Sequence, residues 1–404
     1  THIDISTFIK KISTGNLLGS AKTIFESNWV PLTCAKACPV DVLCEGACVY
    51  IAKGEKPIEI GRLQRFSIDN YFSQGMPALF HKSRNNGKSI GVIGSGPAGL
   101  ACSAELSLLG YEVTIYEASK IPGGLNTWGI APYKMRREDS LKEVEMVKNF
   151  GVEIKTGVMI GRDIKVDELL KKHDAIFLGV GLGESPQLSI SGEELPGVVG
   201  ALDFIEKVKT ENWKDVHVGK RVAVIGAGNT SIDAATEAKR LGAEQVYIIY
   251  RRSNIEMSAY EFEYELAKKD GIVFYFLTSP KRIIGKDFVE KIECLKMKLG
   301  DPDRRGKRKP VPIPGSEFTI PVDMIIKAIG QETKSSFLNT IPKLTLDDEG
   351  CVIVDQASFQ THNPKIFAGG DCINGGKEVV NAAYDGKHAA HSIDEFLSLP
   401  KGVK

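Results

Sequence analysis

Two short glycine-rich runs carry residue types that can do chemistry: Gly94-Ser95-Gly96-Pro97-Ala98-Gly99 and Gly226-Ala227-Gly228-Asn229-Thr230-Ser231. In the first, Gly94 permits a tight bend, Gly96 lets the backbone approach a pyrophosphate, and Gly99 lets a helix pack closely on a strand. The helix that follows offers free amide N–H groups and the positive end of its dipole. A carboxylate about twenty residues further on can accept hydrogen bonds from a ribose, and Glu117 stands there, at the end of the apolar run Val113 to Tyr116. Gly94, Gly96, Pro97, Ala98, Gly99 and Glu117 are thus candidate dinucleotide-binding residues.

The second run supplies Gly226, Gly228, Asn229 and Thr230, and its following strand ends differently. After Val246 to Tyr250 come Arg251 and Arg252, so two cations replace the carboxylate. Arginine there suits the 2′-phosphate of NADP. The same arginines facing solvent or the adenine would leave NAD equally acceptable, so NADPH or NADH remains open. A chain with two such sites holds two dinucleotides and passes electrons between them, the plan of a flavoprotein reductase.

The cysteines are unevenly placed. Cys34, Cys38, Cys44 and Cys48 form a tight group, whereas Cys102, Cys294, Cys351 and Cys372 are scattered. A tight group in a cytosolic chain reads as metal or redox chemistry before disulfides. The spacings fit iron–sulfur chemistry better than zinc, whose structural sites favour closer cysteine pairs. The scattered four read as small buried hydrophobes.

The elements that must position these groups follow from periodicity. Thr1 to Asn28 reads as two amphipathic helices, the second capped by Asn16 with Leu17, Leu18, Ala21, Ile24 and Phe25 on its apolar side. The cysteine segment reads as irregular around Pro39. A further helix runs through Leu63, Phe66 and Ile68 toward Tyr71, and Lys82 to Lys88 reads as a linker. Strand Ile90 to Ile93, the first turn, helix Gly99 to Leu109, a stop at Gly110 and strand Val113 to Tyr116 open a doubly wound sheet. The same grammar recurs at Val222 to Ile225, Ser231 to Leu241, Gly242 and Val246 to Tyr250. Because the C-terminal stretch returns to glycine-rich turns beside apolar strands, the second unit reads as inserted in the first.

The expected fold is therefore α/β, with two Rossmann-like dinucleotide-binding domains, the second inserted in the first, preceded by a small helical iron–sulfur-type domain. The expected boundaries are 1–78 for the helical domain, 86–200 and 329–404 for the flavin domain, and 201–328 for the NAD(P) domain. The chain has 404 residues, enough for two to three domains of about 150 residues, with 42% hydrophobic and 25% charged residues. A net charge of +1 gives no reason to expect nucleic acid or an anionic membrane as partner. The nearly uncharged stretch Gly91 to Gly110 contains the first turn and Glu105, so it reads as a buried strand, turn and helix instead of a membrane span. No signal peptide is visible, which leads us to expect a cytoplasmic location. The basic stretch Asp301 to Lys309 reads as a solvated hairpin loop.

The order flavin turn, inserted nicotinamide turn and late Gly369-Gly370-Asp371 resembles the two-dinucleotide-domain flavoprotein reductases. That resemblance implies that Gly370 and Asp371 lie at the FAD ribitol. It also implies that Gly123-Gly124-Leu125 forms a flavin-side loop, contributed by Gly124 and Leu125. Val380, with Val379 and Ala383, would start a helix aimed at the isoalloxazine. Asp174 to Gly183 and Asp323 to Gly330 resemble the family's crossover strands, which places Gly330 at the NAD(P) site. Hydride transfer needs alignment more than an acid–base pair; no Ser-His-Asp or paired-carboxylate arrangement is expected, and no catalytic side chain is assigned.

Cys34-x3-Cys38-Pro39-x4-Cys44-x3-Cys48 followed by Pro57-Ile58-x-Ile60-Gly61-x-Leu63-Gln64 resembles the N-terminal iron–sulfur domain of dihydropyrimidine dehydrogenase, including the NAD(P)H-oxidising subunit of its bacterial two-subunit form. The glutamate synthase small subunit and the ferredoxin:NADP oxidoreductase large subunit share this plan. The resemblance implies that Cys38, Cys44 and Gln64 serve one 4Fe–4S cluster and Cys48 another, with Cys34 not a ligand. Two clusters take eight ligands, so the remaining ones are expected from a cysteine group that in the relatives precedes the segment matching Thr1 to Ile5. The implied activity is that of an electron-input subunit: NAD(P)H reduces FAD, and electrons leave through iron–sulfur clusters to a catalytic partner subunit or a ferredoxin-like acceptor. Dihydropyrimidine dehydrogenase is the first expectation for that partner and glutamate synthase the alternative; a non-catalytic flavin-binding scaffold is the reading from another class.

Overall fold

The computed structural model describes residues 1–302 and 308–398. By contacts, their chain divides into two compact units, one from Thr1–Thr127, Lys134–Gly183 and Thr333–Lys404, the other from Trp128–Tyr133 and Glu184–Glu332. The first unit holds a five-stranded parallel sheet in the order Ile366–Ala368, Ala175–Leu178, Ser89–Ile93, Glu112–Glu117, Glu153–Thr156. Ile90, Val92, Ile176 and Phe177 are fully buried, as continuous apolar strands covered on both faces must be. Pro97 opens the helix Pro97–Leu108, where its missing N–H costs nothing. Gly386 of the last helix, Val379–Ser398, lets the two helices meet: a Cβ there would lie 2.0 Å from the Ala98 carbonyl oxygen.

The N-terminal segment folds as the helices Ile5–Ser13, Leu17–Phe25, Pro31–Ala37 and Ile60–Ser73. Asp4 caps the first through Thr7 N (3.0 Å) and Asn16 the second through Gly19 N (2.9 Å). Phe8, Ile24, Phe25, Leu32 and Ile68 share one core with Ile90, Val92 and Ile115 of the first sheet, so this segment falls in the same compact unit as the sheet.

The cysteine segment begins as a helix, contrary to its expected irregularity. Its first amides have no side-chain cap nearby in sequence, and the partner comes from far along the chain. The fully buried Glu143, on helix Arg137–Asn149, accepts from Leu32 N (2.7 Å), Thr33 N (3.1 Å) and the Thr33 hydroxyl. Beyond Cys38 the chain is extended, and short 3-10 turns follow at Val40–Val42 and Ile51–Lys53.

In the second unit the parallel order is Val198–Gly200, Met324–Lys327, Arg221–Ile225, Gln245–Ile249, Val273–Tyr275. Val198–Gly200 pairs with Met324–Lys327, and the long stretch of this unit begins at Glu184, ahead of the 200/201 boundary expected from sequence. An antiparallel set centres on Lys291–Pro302, which pairs with Thr278–Ile284, Arg308–Pro312 and Phe318–Pro321. The arms of the expected hairpin at Asp301 to Lys309 are thus paired, while 303–307 lie outside the described residues. Among the described residues no helix is long and apolar enough to cross a membrane.

Two measurements check this packing. Replacing Glu143 with Ala strips the acceptors from two backbone N–H groups, so urea unfolding of the variant should show a loss of about 3 kcal/mol. His173 is buried between Tyr116 Oη (3.0 Å) and Ser89 Oγ (3.2 Å), and burial pushes its pKa down to about 4 from 6.5. The folded protein keeps this ring neutral while the unfolded chain takes up a proton, so stability should fall as pH drops from 6.5 toward 4. Urea midpoints of His173→Gln across that range should lack this part of the slope.

Candidate functional site

The first glycine turn is built as a ligand cradle. Gly94 has φ +98°, and a Cβ on it would lie 2.4 Å from the Gly179 carbonyl oxygen; one on Gly99 would lie 2.0 Å from Gly94 O. Gly96 differs, since a Cβ there would meet no protein atom within 4 Å. Among the described residues nothing fills the space beside it. Ala98 is buried in the first turn of helix Pro97–Leu108.

Glu117 is 8% exposed and tied to the turn. Its Oε2 accepts from Ser95 N (2.9 Å) and Ser95 Oγ (2.5 Å), and Oε1 accepts from Ser119 N (2.7 Å). A carboxylate offers about four acceptor positions, so capacity remains for a ribose hydroxyl. Ser95 Oγ in turn accepts from Gly123 N at 2.9 Å. Gly124, at φ +56°, lies so close that its Cβ would be 2.8 Å from Gly96 Cα, and Leu125 starts the short helix Leu125–Trp128.

The late motif closes on the same place. Gly370, at φ +76°, would bring a Cβ to 3.0 Å from Ala98 Cβ, and its N–H donates to Asp385 Oδ2 at 3.0 Å. Asp371 follows, accepting from Lys377 N (3.2 Å), and burial pushes its pKa up. Val380 is half-buried in the first turn of the last helix. The structure thus gathers the glycine turn, Glu117, Gly124 and Gly370-Asp371, spread over the sequence, around one helix N-terminus. Such a cradle with spare acceptors fits a dinucleotide. Sequence reasoning missed Asp385, although a carboxylate among Ala382, Ala383, Gly386, Ala389 and Ala390 was a signal, since a buried charge needs a partner.

At the second turn Gly226 has φ +127°, with a Cβ position 2.1 Å from Ala328 O, and Gly228 caps helix Asn229–Arg240. Asn229 Oδ1 accepts from Tyr260 N (3.1 Å), which braces the turn, and Thr230 is exposed. Arg251 is exposed and Arg252 half-buried, just past strand Gln245–Ile249; among the described residues neither is held in an ion pair. Gly330, at φ +103°, has an empty Cβ position. A polar cavity of 660 Å³, lined in part by Glu184, Gly200, Asp203 and Lys327, lies in this unit. It sits at the carboxyl ends of Val198–Gly200 and Met324–Lys327, the edge where open α/β sheets bind ligands.

The cysteine segment is less complete. Cys34 is buried, and a hydrogen bond to Cys38, then burial, pushes its thiol pKa up; burial also raises that of Cys44. Cys38, Cys44 and Cys48 are each half-buried. Gln64 is 7% exposed, and its amide donates to Pro31 O at 2.9 Å, at the start of the helix that carries Cys34. Among the described residues no three His, Cys, Asp or Glu side chains converge where they could hold a metal ion. Cys38, Cys44 and Gln64 are expected at one cluster and Cys48 at another, so the four belong to two ligand sets.

The two glycines of the first turn separate folding from binding. Gly99→Ala should prevent normal folding, because its methyl meets backbone. Gly96→Ala should melt like the unsubstituted apoprotein yet lose FAD by at least about tenfold in affinity, since its methyl fills only the ligand's space. Thermal melts and flavin titration of both variants check this.

Residues 88–386 match the family described as pyridine nucleotide-disulphide oxidoreductase, and residues 1–76 match dihydropyrimidine dehydrogenase domain II, 4Fe-4S cluster. The chain is 34% identical to the glutamate synthase [NADPH] small chain of Halomonas elongata, over 98% of this chain and 86% of that one. It is 33% identical to the NADP(+)-dependent formate dehydrogenase subunit beta of Moorella thermoacetica, over 98% of this chain but only 59% of that protein's length. Among solved structures, Mycobacterium tuberculosis FprA in complex with NADPH superposes with a TM-score of 0.63 at 21% identity, covering 78% of this chain and 87% of that one. The last likeness shows the fold alone. With its two glycine turns and its N-terminal 4Fe–4S-type region, the chain belongs to the pyridine nucleotide-disulphide oxidoreductase family and is an NAD(P)H-dependent flavoprotein oxidoreductase.

Proposed function

We propose that the chain is the electron-input subunit of a larger oxidoreductase, taking hydride from NADPH and passing electrons to a partner. The observation that carries this reading is the opposite charge at the two second strands, Glu117 at one and Arg251 with Arg252 at the other. A carboxylate suits the unmodified ribose of a resident FAD, and two guanidiniums suit a 2′-phosphate. Gly94, Gly96, Glu117 and Asp371 would hold FAD, which supplies hydride acceptance, and Cys38, Cys44, Cys48 and Gln64 would help hold iron–sulfur clusters, which supply single-electron transfer. Gly226 and Gly228 allow the close approach of the nicotinamide dinucleotide, and the cavity beside Lys327 and Asp203 offers room on the same carboxyl edge. Cys38, Cys44, Cys48 and Gln64 are the proposed cluster ligands of this chain, with others required from elsewhere.

For the partner, two chemistries compete. Gln64 supports a subunit that reduces pyrimidines, as in dihydropyrimidine dehydrogenase. The Halomonas relative's name supports a glutamine-dependent synthase. NADPH oxidation by the co-purified complex with uracil, or with 2-oxoglutarate and glutamine, distinguishes them.

Anaerobic NADPH should bleach the bound flavin of the full chain; a flavin left oxidised by both NADPH and NADH would instead support a non-catalytic scaffold. Arg251→Ala with Arg252→Ala should raise KM for NADPH by about tenfold or more and leave that for NADH little changed, as loss of charge-assisted phosphate contacts requires. Equal effects on both coenzymes would remove the 2′-phosphate role.

A further inference from the structure

Lys334 is a cation beside the first glycine turn, whose own residues carry none. It lies where the chain re-enters the first unit, just before the short helix Ser335–Leu338. Its ammonium donates to Val180 O at 2.7 Å. Val180 follows strand Ala175–Leu178, and its Cα stands 3.4 Å from the Cβ position of Gly94. The amine therefore hangs beside the backbone that closes the turn, within reach of the field of Glu117. Its side chain is open to solvent, yet the surrounding protein desolvates the amine enough to lower its pKa.

Charge balance says what the ammonium can serve. The carboxylate in reach of Lys334 is Glu117, Asp371 and Asp385 have Lys377 beside them, and neither Gly94–Gly99 nor Gly123–Leu125 contains a cation. A helix N-terminus contributes about half a positive charge, which is little against the two negative charges of a diphosphate. An ammonium has three donors, and Val180 takes one. Glu117 is already engaged by Ser95 and Ser119. We propose that Lys334 turns its remaining donors to the diphosphate of the dinucleotide on the first turn, setting flavin affinity as a positioning residue. This rests on the reading of that turn as the FAD site.

The test is FAD titration of the full-length apoprotein, with ADP as a probe that carries the diphosphate without the flavin. Lys334→Met should weaken FAD at least about tenfold and weaken ADP competition by a similar factor, while Lys334→Arg stays within about threefold of the original. The apoprotein melting temperature should not move, and added salt should weaken FAD less in the Met variant than in the unsubstituted chain. Unchanged FAD and ADP affinity in Lys334→Met overturns the proposal. So does a loss of affinity matched by a lower apoprotein melting temperature, which would make the Val180 contact a structural tie. If the unsubstituted apoprotein binds no FAD, the flavin reading of the turn fails, and this inference with it.

Discussion

The carboxylate of Glu117 is the knot of the first unit's binding edge. It stands at the end of strand Glu112–Glu117, takes both the amide and the hydroxyl of Ser95, and through that hydroxyl fixes Gly123. One buried charge thus holds a strand, a turn and a loop in register. Charge-assisted hydrogen bonds of this kind are short and directional, so the geometry of the cradle is set before any ligand arrives. The helix N-terminus at Pro97, the close approach of Gly124 and the placement of Gly370 beside Ala98 all rely on a turn that cannot drift.

The second turn is held by other means. No acid closes it; Gly226 presses against Ala328 O, and Asn229 is tied to Tyr260 N. Its second strand ends in exposed and half-buried arginines free of ion pairs among the described residues. A pre-knotted site suits a ligand that stays, and a site whose charges wait in solvent suits one that exchanges. The same βαβ grammar therefore closes its two turns differently through a few residues at one strand end.

Much of this was legible in the sequence because it is local. Gly94 to Gly99 and Glu117 lie within one βαβ unit, and their spacing is dictated by helix and strand dimensions. Asn16 as a cap and Val222 to Ile225 as a buried strand are equally local. What escaped was non-local. Strand Val198–Gly200 joins the second sheet because of a pairing with Met324–Lys327 that no nearby residue encodes. Asp385 and Lys334 reach the first turn only after the chain has left and returned. The cysteine segment reads as irregular around Pro39, and the helix Pro31–Ala37 ahead of it escaped because it has no cap of its own.

That borrowed cap has a consequence for stability. A short helix with bare amides has little stability by itself, and Glu143 is what satisfies them. The helix bearing Cys34 therefore depends for its stability on the helix Arg137–Asn149. A single carboxylate thus ties the thiol-bearing segment to a helix more than a hundred residues further along the chain.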